Sequence, residues 1–204
     1  DLVPELQQRF TTLQIINTDI LQVDLQELLG PVANEWRVVG NLPYNISSPL
    51  ILKFILYAHS APGSIRDMHF MLQKEMAERM CAQPSTKAWG RLSVMVQLLA
   101  EVEGLFDVSP GSFSPPPKVD SAVVRMQPRA QINLPARLST LDKVLRQAFS
   151  ARRKRLSNAL KTLNIDWSVV VAEPQWRADD VGVAEFVEIA QWVDEHAAEG
   201  IGSL

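Results

Sequence analysis

Trp36-Arg37-Val38-Val39-Gly40, running into Asn41-Leu42-Pro43-Tyr44, is the stretch on which the reading of this chain turns. The first five residues are a short apolar run bounded by glycine, the pattern of a buried strand. A helical stretch follows from about Ser48 to Tyr57. An amide, a proline and an aromatic therefore sit at the C-terminal end of an expected parallel strand, the edge at which open α/β sheets bind ligands. Asn41 offers a carbonyl that can hold an amino group, and Pro43 stiffens the turn and removes a competing N–H. Tyr44 offers a flat face for a base. The set suits gripping the exocyclic amine of an adenine taken out of its stack. The plainer alternative is an ordinary strand-to-helix turn, because Asn and Pro are common turn formers.

Working outward, strands and helices alternate. Leu13–Asn17 reads as a strand followed by Thr18-Asp19, and Asp24–Leu29 as a short helix closed by Gly30-Pro31. Met68–Leu72 reads as a strand, Lys74–Cys81 as a helix, Gln83–Gly90 as a loop, and Arg91–Leu99 as a helix passing into a strand near Val102–Val108. Pro110–Pro117 is a rigid turn, and Val119–Met126 alternates like a last strand. This order predicts an α/β, Rossmann-like core with a mostly parallel, doubly wound sheet. Past Pro128–Pro135 the pattern is helical. Ser139-Thr140-Leu141-Asp142 has the form of a capping box. Leu141, Leu145, Ala148 and Phe149 then share one face, a second helix is expected over Arg153–Leu163, and Val183, Phe186, Val187, Ala190 and Val193 mark a last one. The expectation is a core over residues 1–130 and a small all-α domain over 131–204, joined by a linker near Gln127–Leu138.

Net charge is −3, so a nucleic-acid partner is not announced by overall charge and any basic surface must be local. Arg152-Arg153-Lys154-Arg155 is such a surface, with Lys143, Arg146 and Lys161 nearby and Asp142 the one acid between 142 and 163. It suggests a phosphate-backbone patch. The alternatives are a solvated helix face, or arginines paired with Glu185, Glu188 or Asp194 on the last helix. Asp19, just after a strand, can accept a hydrogen bond from the amino group of a nucleotide-like cofactor at the edge Asn41 also faces, or can cap a turn. Phe113, in the proline-stiffened loop, can form the second face of a base sandwich with Tyr44, or plug the loop onto the core. Cys81 is the single cysteine, which excludes an intrachain disulfide and fits a reducing cytoplasm. His59, His69, His196 and Cys81 have no metal-ligand spacing, so no metal is expected. No apolar run reaches the roughly 20 residues that span a bilayer. No Gly-x-Ser-x-Gly, P-loop or Gly-x-Gly-x-x-Gly occurs, leaving acyl and phosphoryl transfer unsupported.

Four segments together resemble the bacterial small-subunit (16S) rRNA adenine dimethyltransferases. They are Gly40–Ser47, Met68–Glu75, Gly90–Val94 and Phe113–Ser121, in that order. The Arg-rich helical region fits the same family, and the resemblance covers nearly the whole chain. It implies an enzyme that uses S-adenosylmethionine to place two methyls on each exocyclic amine of two adjacent adenosines near the 3′ end of small-subunit rRNA. The resemblance also implies a cytoplasmic monomer that acts on the pre-ribosomal 30S particle, with no membrane partner. Carried over by motif, Asp19 binds the cofactor's adenine amine and Asn41 touches cofactor and target amine. The Leu42 carbonyl is the second acceptor, in a catalytic motif that includes Pro43 and Tyr44. Tyr44 and Phe113 stack on the flipped base. RNA binding falls to Lys118, Arg152, Arg153, Lys154 and Arg155. The family pattern also has a glycine-rich loop after its first strand and an acidic residue after its second. Neither is in this sequence, so the N-terminal part of the natural protein is expected to be absent. The sheet is then expected to lack its central first strand, and this chain to bind cofactor weakly and be inactive as it stands. Two other readings share these motifs. One is a large-subunit rRNA methyltransferase of the antibiotic-resistance type, against which the helical region argues. The other is a non-catalytic ribosome-assembly factor that keeps the fold to bind RNA.

Overall fold

The structure, a computed structural model, describes residues 2–30, 35–129, 134 and 137–197. Helix α1 (Val3–Arg9) carries Pro4 in its first turn, where a fixed φ and a missing N–H are tolerated. The segment at Leu13–Asn17, expected as a strand, has no regular secondary structure, and Leu13 and Ile16 stand 49% and 51% exposed. Its residues have the right pattern, but among the described residues no neighbouring strand supplies a ladder. Helix α2 (Leu25–Leu29) forms as expected because the Asp24 carboxylate accepts from the N–H groups of Gln26 and Glu27, and Gly30 closes it at φ +70°.

Strand β1 (Trp36–Asn41) leads into α3 (Ser47–Ser60), then come β2 (Ile65–Gln73), α4 (Lys74–Cys81), α5 (Arg91–Leu99), β3 (Ala100–Val108) and β4 (Ser121–Pro128). The sheet order is β1-β2-β4-β3. Only β1 and β2 run parallel; β4 is antiparallel to both β2 and β3. The α/β class stands, but a mostly parallel sheet is not what these four strands form. The connection from β3 to β4 holds a 3₁₀ turn at Pro110–Ser112 and no crossover helix, and β4 returns antiparallel beside β3. Nor is β1 buried as expected. Among the described residues it pairs on one side only, with β2, and Val39 is 72% exposed. One sheet face, carrying Met68, Phe70, Leu72, Val124 and Met126, is fully covered. In α3, Leu50, Ile51, Phe54, Ile55 and Ala58 recur at helical spacing and are buried, and Phe54 meets Phe70 at 6.2 Å between ring centroids. Each such side chain contributes roughly 1.5–3 kcal/mol by leaving water.

Helix α5 is buried nearly all round, because it lies between the sheet layer and the C-terminal helices. Those are α6 (Leu138–Ser150), α7 (Leu156–Ala159) and α8 (Val183–Ala197). The stripe Leu141, Val144, Leu145 and Ala148 of α6 is buried, and Phe149 meets Phe186 of α8 at 5.6 Å. Ser139 and Thr140 do not form a capping box; they lie inside the first turn. The cap comes from α8, where Asp194 accepts the Arg137 N–H at 2.6 Å and the Thr140 hydroxyl. The helix expected over Arg153–Leu163 is only the single turn α7 and a 3₁₀ turn at Lys161–Leu163. Arg155 is extended and bridges Arg177, and Asn164 in the left-handed region ends the segment. The expected boundary at residues 130 and 131 lies outside the described residues.

Candidate functional site

The Asn41–Tyr44 turn is held by its own backbone. Asn41 pairs with Met71 in the parallel ladder, and Leu42 donates its N–H to the Met71 carbonyl at 3.1 Å. The Leu42 side chain is buried while Asn41, Pro43 and Tyr44 are exposed. A Cβ on Gly40 would stand 3.0 Å from the Leu42 side chain and 3.6 Å from Phe70, so glycine lets Leu42 tuck under the strand end. The Ile46 N–H donates to the Pro43 carbonyl, and the buried Ser47 hydroxyl to that of Tyr44, which starts α3 immediately. Among the described residues, neither the Asn41 amide nor the Leu42 carbonyl is engaged by another protein group. Two acceptors and a 44% exposed tyrosine ring therefore share one turn.

Phe113 is half-buried and Lys118 exposed, on the loop that returns to β4. This loop reaches the same sheet edge. Its last residue, Asp120, accepts the Lys74 N–H at 2.9 Å, and Ser121 pairs with Gln73, two residues past the Met71 partner of Asn41. Tyr44 and Phe113 make no ring contact with one another among the described residues. Asp19 is exposed and takes the capping geometry: one carboxylate oxygen accepts the Leu21 N–H at 2.9 Å. Its other oxygen has no protein donor among the described residues. That oxygen and the Asn41 side-chain oxygen are each open to accept a hydrogen bond from an amine.

The four bases divide. Arg153, Lys154 and Arg155 are exposed. Arg152 is committed to protein: its Nε stands 2.5 Å from the Asp179 carboxylate, and it donates to the carbonyls of Thr86 and Lys87 at 3.2 and 2.9 Å. None of the acids expected as partners takes it. Asp194 caps α6, and Glu188 accepts the Val171 N–H. Arg152 also lines a cavity of about 320 Å³ with Arg79, Lys87 and Arg91 over Trp89 and Phe149. Arg79, Lys87 and Arg91 were not legible as a group, because they lie far along the chain from the Arg-rich block. A larger cavity, about 520 Å³, opens beside Trp192 on α8, but Asp166, Glu188 and Glu195 line it and would repel phosphate.

The model of the ribosomal RNA adenine dimethylase family matches residues 1–195. This chain belongs to that family. It is 46% identical to the Ribosomal RNA small subunit methyltransferase A of Pseudomonas fluorescens Pf0-1, over 98% of this chain and 74% of that one. It is 47% identical to the protein of the same name from Pseudomonas putida, over 97% and 75%. In fold it resembles a dimethyladenosine transferase from Plasmodium falciparum, with a TM-score of 0.72 at 23% identity, over 97% of this chain and 77% of that one. It also resembles the 23S rRNA methyltransferase ErmE, with a TM-score of 0.61 at 20% identity, over 95% and 78%. Among the described residues no helix is long and apolar enough to cross a membrane.

Proposed function

We propose that this chain is an S-adenosylmethionine-dependent methyltransferase that dimethylates the exocyclic amines of two adjacent adenosines in small-subunit rRNA, within the pre-ribosomal particle. The observation that carries this reading is the pair of free acceptors, Asn41 and Leu42, beside the exposed Tyr44 ring at the end of β1. The relatives' names support the small subunit over the large one.

When bound, S-adenosylmethionine supplies a methyl group activated on a sulfonium. The adenine amine is a weak nucleophile because its lone pair is delocalised into the ring. The Asn41 side-chain oxygen and the Leu42 carbonyl accept its two N–H bonds, pull the nitrogen towards tetrahedral, and free that pair. They also stabilise the positive charge that grows on nitrogen, and their fixed backbone spares reorganisation. The proton then leaves to water. Tyr44, with Phe113 across the edge, offsets part of the unstacking cost, about 1–3 kcal/mol per base. Asp19 holds the cofactor's amine. Lys118, Arg153, Lys154 and Arg155 meet the rRNA backbone.

The test is methyl incorporation into unmodified small subunits by the full-length protein, followed by mapping of the modified nucleotide. Asn41→Ala should fold normally and lose about 10²–10³ in single-turnover rate, the usual cost of one transition-state acceptor. Near-wild-type turnover would remove Asn41 from the chemistry. Binding without incorporation by the wild type would favour a non-catalytic assembly factor.

A further inference from the structure

Lys53 sits on α3, two turns after the Asn41–Tyr44 motif, and has no carboxylate partner among the described residues. Its ammonium donates to three backbone carbonyls, those of Ile20 at 3.1 Å, Leu21 at 2.8 Å and Val23 at 2.5 Å. An ammonium has three protons, so all three are used. The carbonyls belong to the turn that Asp19 opens: the Gln22 N–H donates to the Asp19 carbonyl at 2.9 Å, and the Leu21 N–H to the Asp19 carboxylate. One side chain thus stitches the Asp19 turn to the helix that the catalytic turn starts.

We propose that Lys53 is a positioning residue that sets Asp19 against the Asn41 turn, so that the two ends of the cofactor site hold one geometry. This rests on the reading of Asp19 as a cofactor ligand. The physical argument is connectivity. Asp19 is exposed and lies in no helix or strand. Ile20, Leu21 and Val23 pack against the core, but apolar contact is non-directional, so the bonds from Lys53 add the direction that packing does not. Bonds from a charged donor to partly buried carbonyls are stronger than neutral ones and hold direction as well as distance. The same three bonds hide the carbonyls from water, which leaves the carboxylate as the polar group the turn presents.

The test, in the full-length protein, compares Lys53→Met, which keeps the aliphatic stem and removes the ammonium, with Lys53→Gln, which keeps one donor group and guards against misfolding of the first. Two measurements are made on each folded protein. Hydrogen exchange at the Leu21 and Gln22 amides should accelerate roughly tenfold or more in Lys53→Met, and less in Lys53→Gln, while exchange in α6 and α8 stays unchanged. The dissociation constant for S-adenosylmethionine should rise by about the same factor, with rRNA affinity unaltered. A purely stabilising lysine would lower the melting temperature and raise exchange everywhere. Unchanged protection at Leu21 and Gln22 overturns the proposal whatever the cofactor does. Faster exchange with unchanged cofactor affinity, in a wild type that binds cofactor, overturns the link to the site. A wild type that binds no S-adenosylmethionine refutes the functional reading instead, and the exchange result still decides whether Lys53 orders the turn.

Discussion

Asp67 has no exposed surface, yet its partners keep it ionised. The Arg37 guanidinium clasps it through Nε at 2.6 Å and a second nitrogen at 2.8 Å, and Arg125 approaches to 3.8 Å from β4. The hydrogen bonds from Arg37 hold its pKa below the ordinary carboxylate value, against the opposing effect of burial, with His69 and Arg125 adding smaller attractions. Arg37 and Asp67 are register partners just after an irregularity in the β1–β2 ladder, and the ladder then runs unbroken to Asn41. The pair therefore helps decide which face Asn41 presents, because a one-residue slip would reverse it. A lowered folded-state pKa means that the unfolded chain binds more protons as pH falls through about 3.9. The stability from Asp67 is thus complete above that pH and lost below it. Asp67→Asn should cost about 1–3 kcal/mol near neutral pH, towards the low end because Arg37 is half exposed. Denaturant titrations at about pH 6 and pH 3 should show the gap between wild type and variant closing in acid. A gap that is constant with pH would show that the carboxylate charge is not its source. Sequence could not find this pair: both residues looked like ordinary strand polar residues until the register set them opposite one another. Lys53 was hidden for another reason, since its partners are backbone carbonyls, which leave no mark in residue type.

At the scale of elements, what the sequence showed depended on whether the signal was local. The bounds of α4, α5 and the Asn41–Tyr44 turn were legible because apolar spacing and turn residues specify them within the segment. The direction of β4 was not, since it depends on a connection to β3 that carries no crossover helix rather than on strand composition. The Arg-rich block was legible as charge but not as geometry. Arg152 looks like its neighbours in sequence, yet it brackets Asp179 and the 86–87 carbonyls, and Ser85 reinforces the bracket by donating its N–H to the Asp179 carbonyl at 2.7 Å. The block should therefore split on substitution. Arg152→Gln should lower the melting temperature, at a cost of about 1–2 kcal/mol given its partial exposure, with RNA affinity falling only as the folded fraction falls. Replacing Arg153, Lys154 and Arg155 by Gln should leave melting unchanged and flatten the salt dependence of RNA binding by roughly 0.7–0.9 log units for each phosphate no longer neutralised. A melting curve beside a salt titration decides it. An unchanged salt slope in the second variant would remove these three from the RNA interface.

Across the whole molecule, one apolar cluster runs from Leu25 and the β2 side chains through α5 to Leu145, Phe186 and Val193. Trp89 lies at its waist. The ring is 1% exposed and its indole N–H donates to the Val181 carbonyl at 3.0 Å, tying the loop before α5 to the approach to α8. Arg91 adds a link to Asp142 of α6 at 2.5 Å. A composition change near residue 130 suggests two units, but composition along the chain does not reveal that α5 is buried on both sides. With the core continuous through that helix, opening either half exposes apolar surface of the other, so the two should unfold together. The free energies of opening from amide exchange at Phe70 in β2 and Leu145 in α6 should agree. Trp89→Phe keeps most of the ring but leaves the Val181 carbonyl unpaired, and should lower both by the same amount, about 1–3 kcal/mol. If Leu145 opened at lower free energy than Phe70, and the substitution moved only Leu145, the helical part would be an independent unit docked on the sheet. The sites at the β1 edge and around Arg153 would then lie on two bodies rather than on one rigid frame.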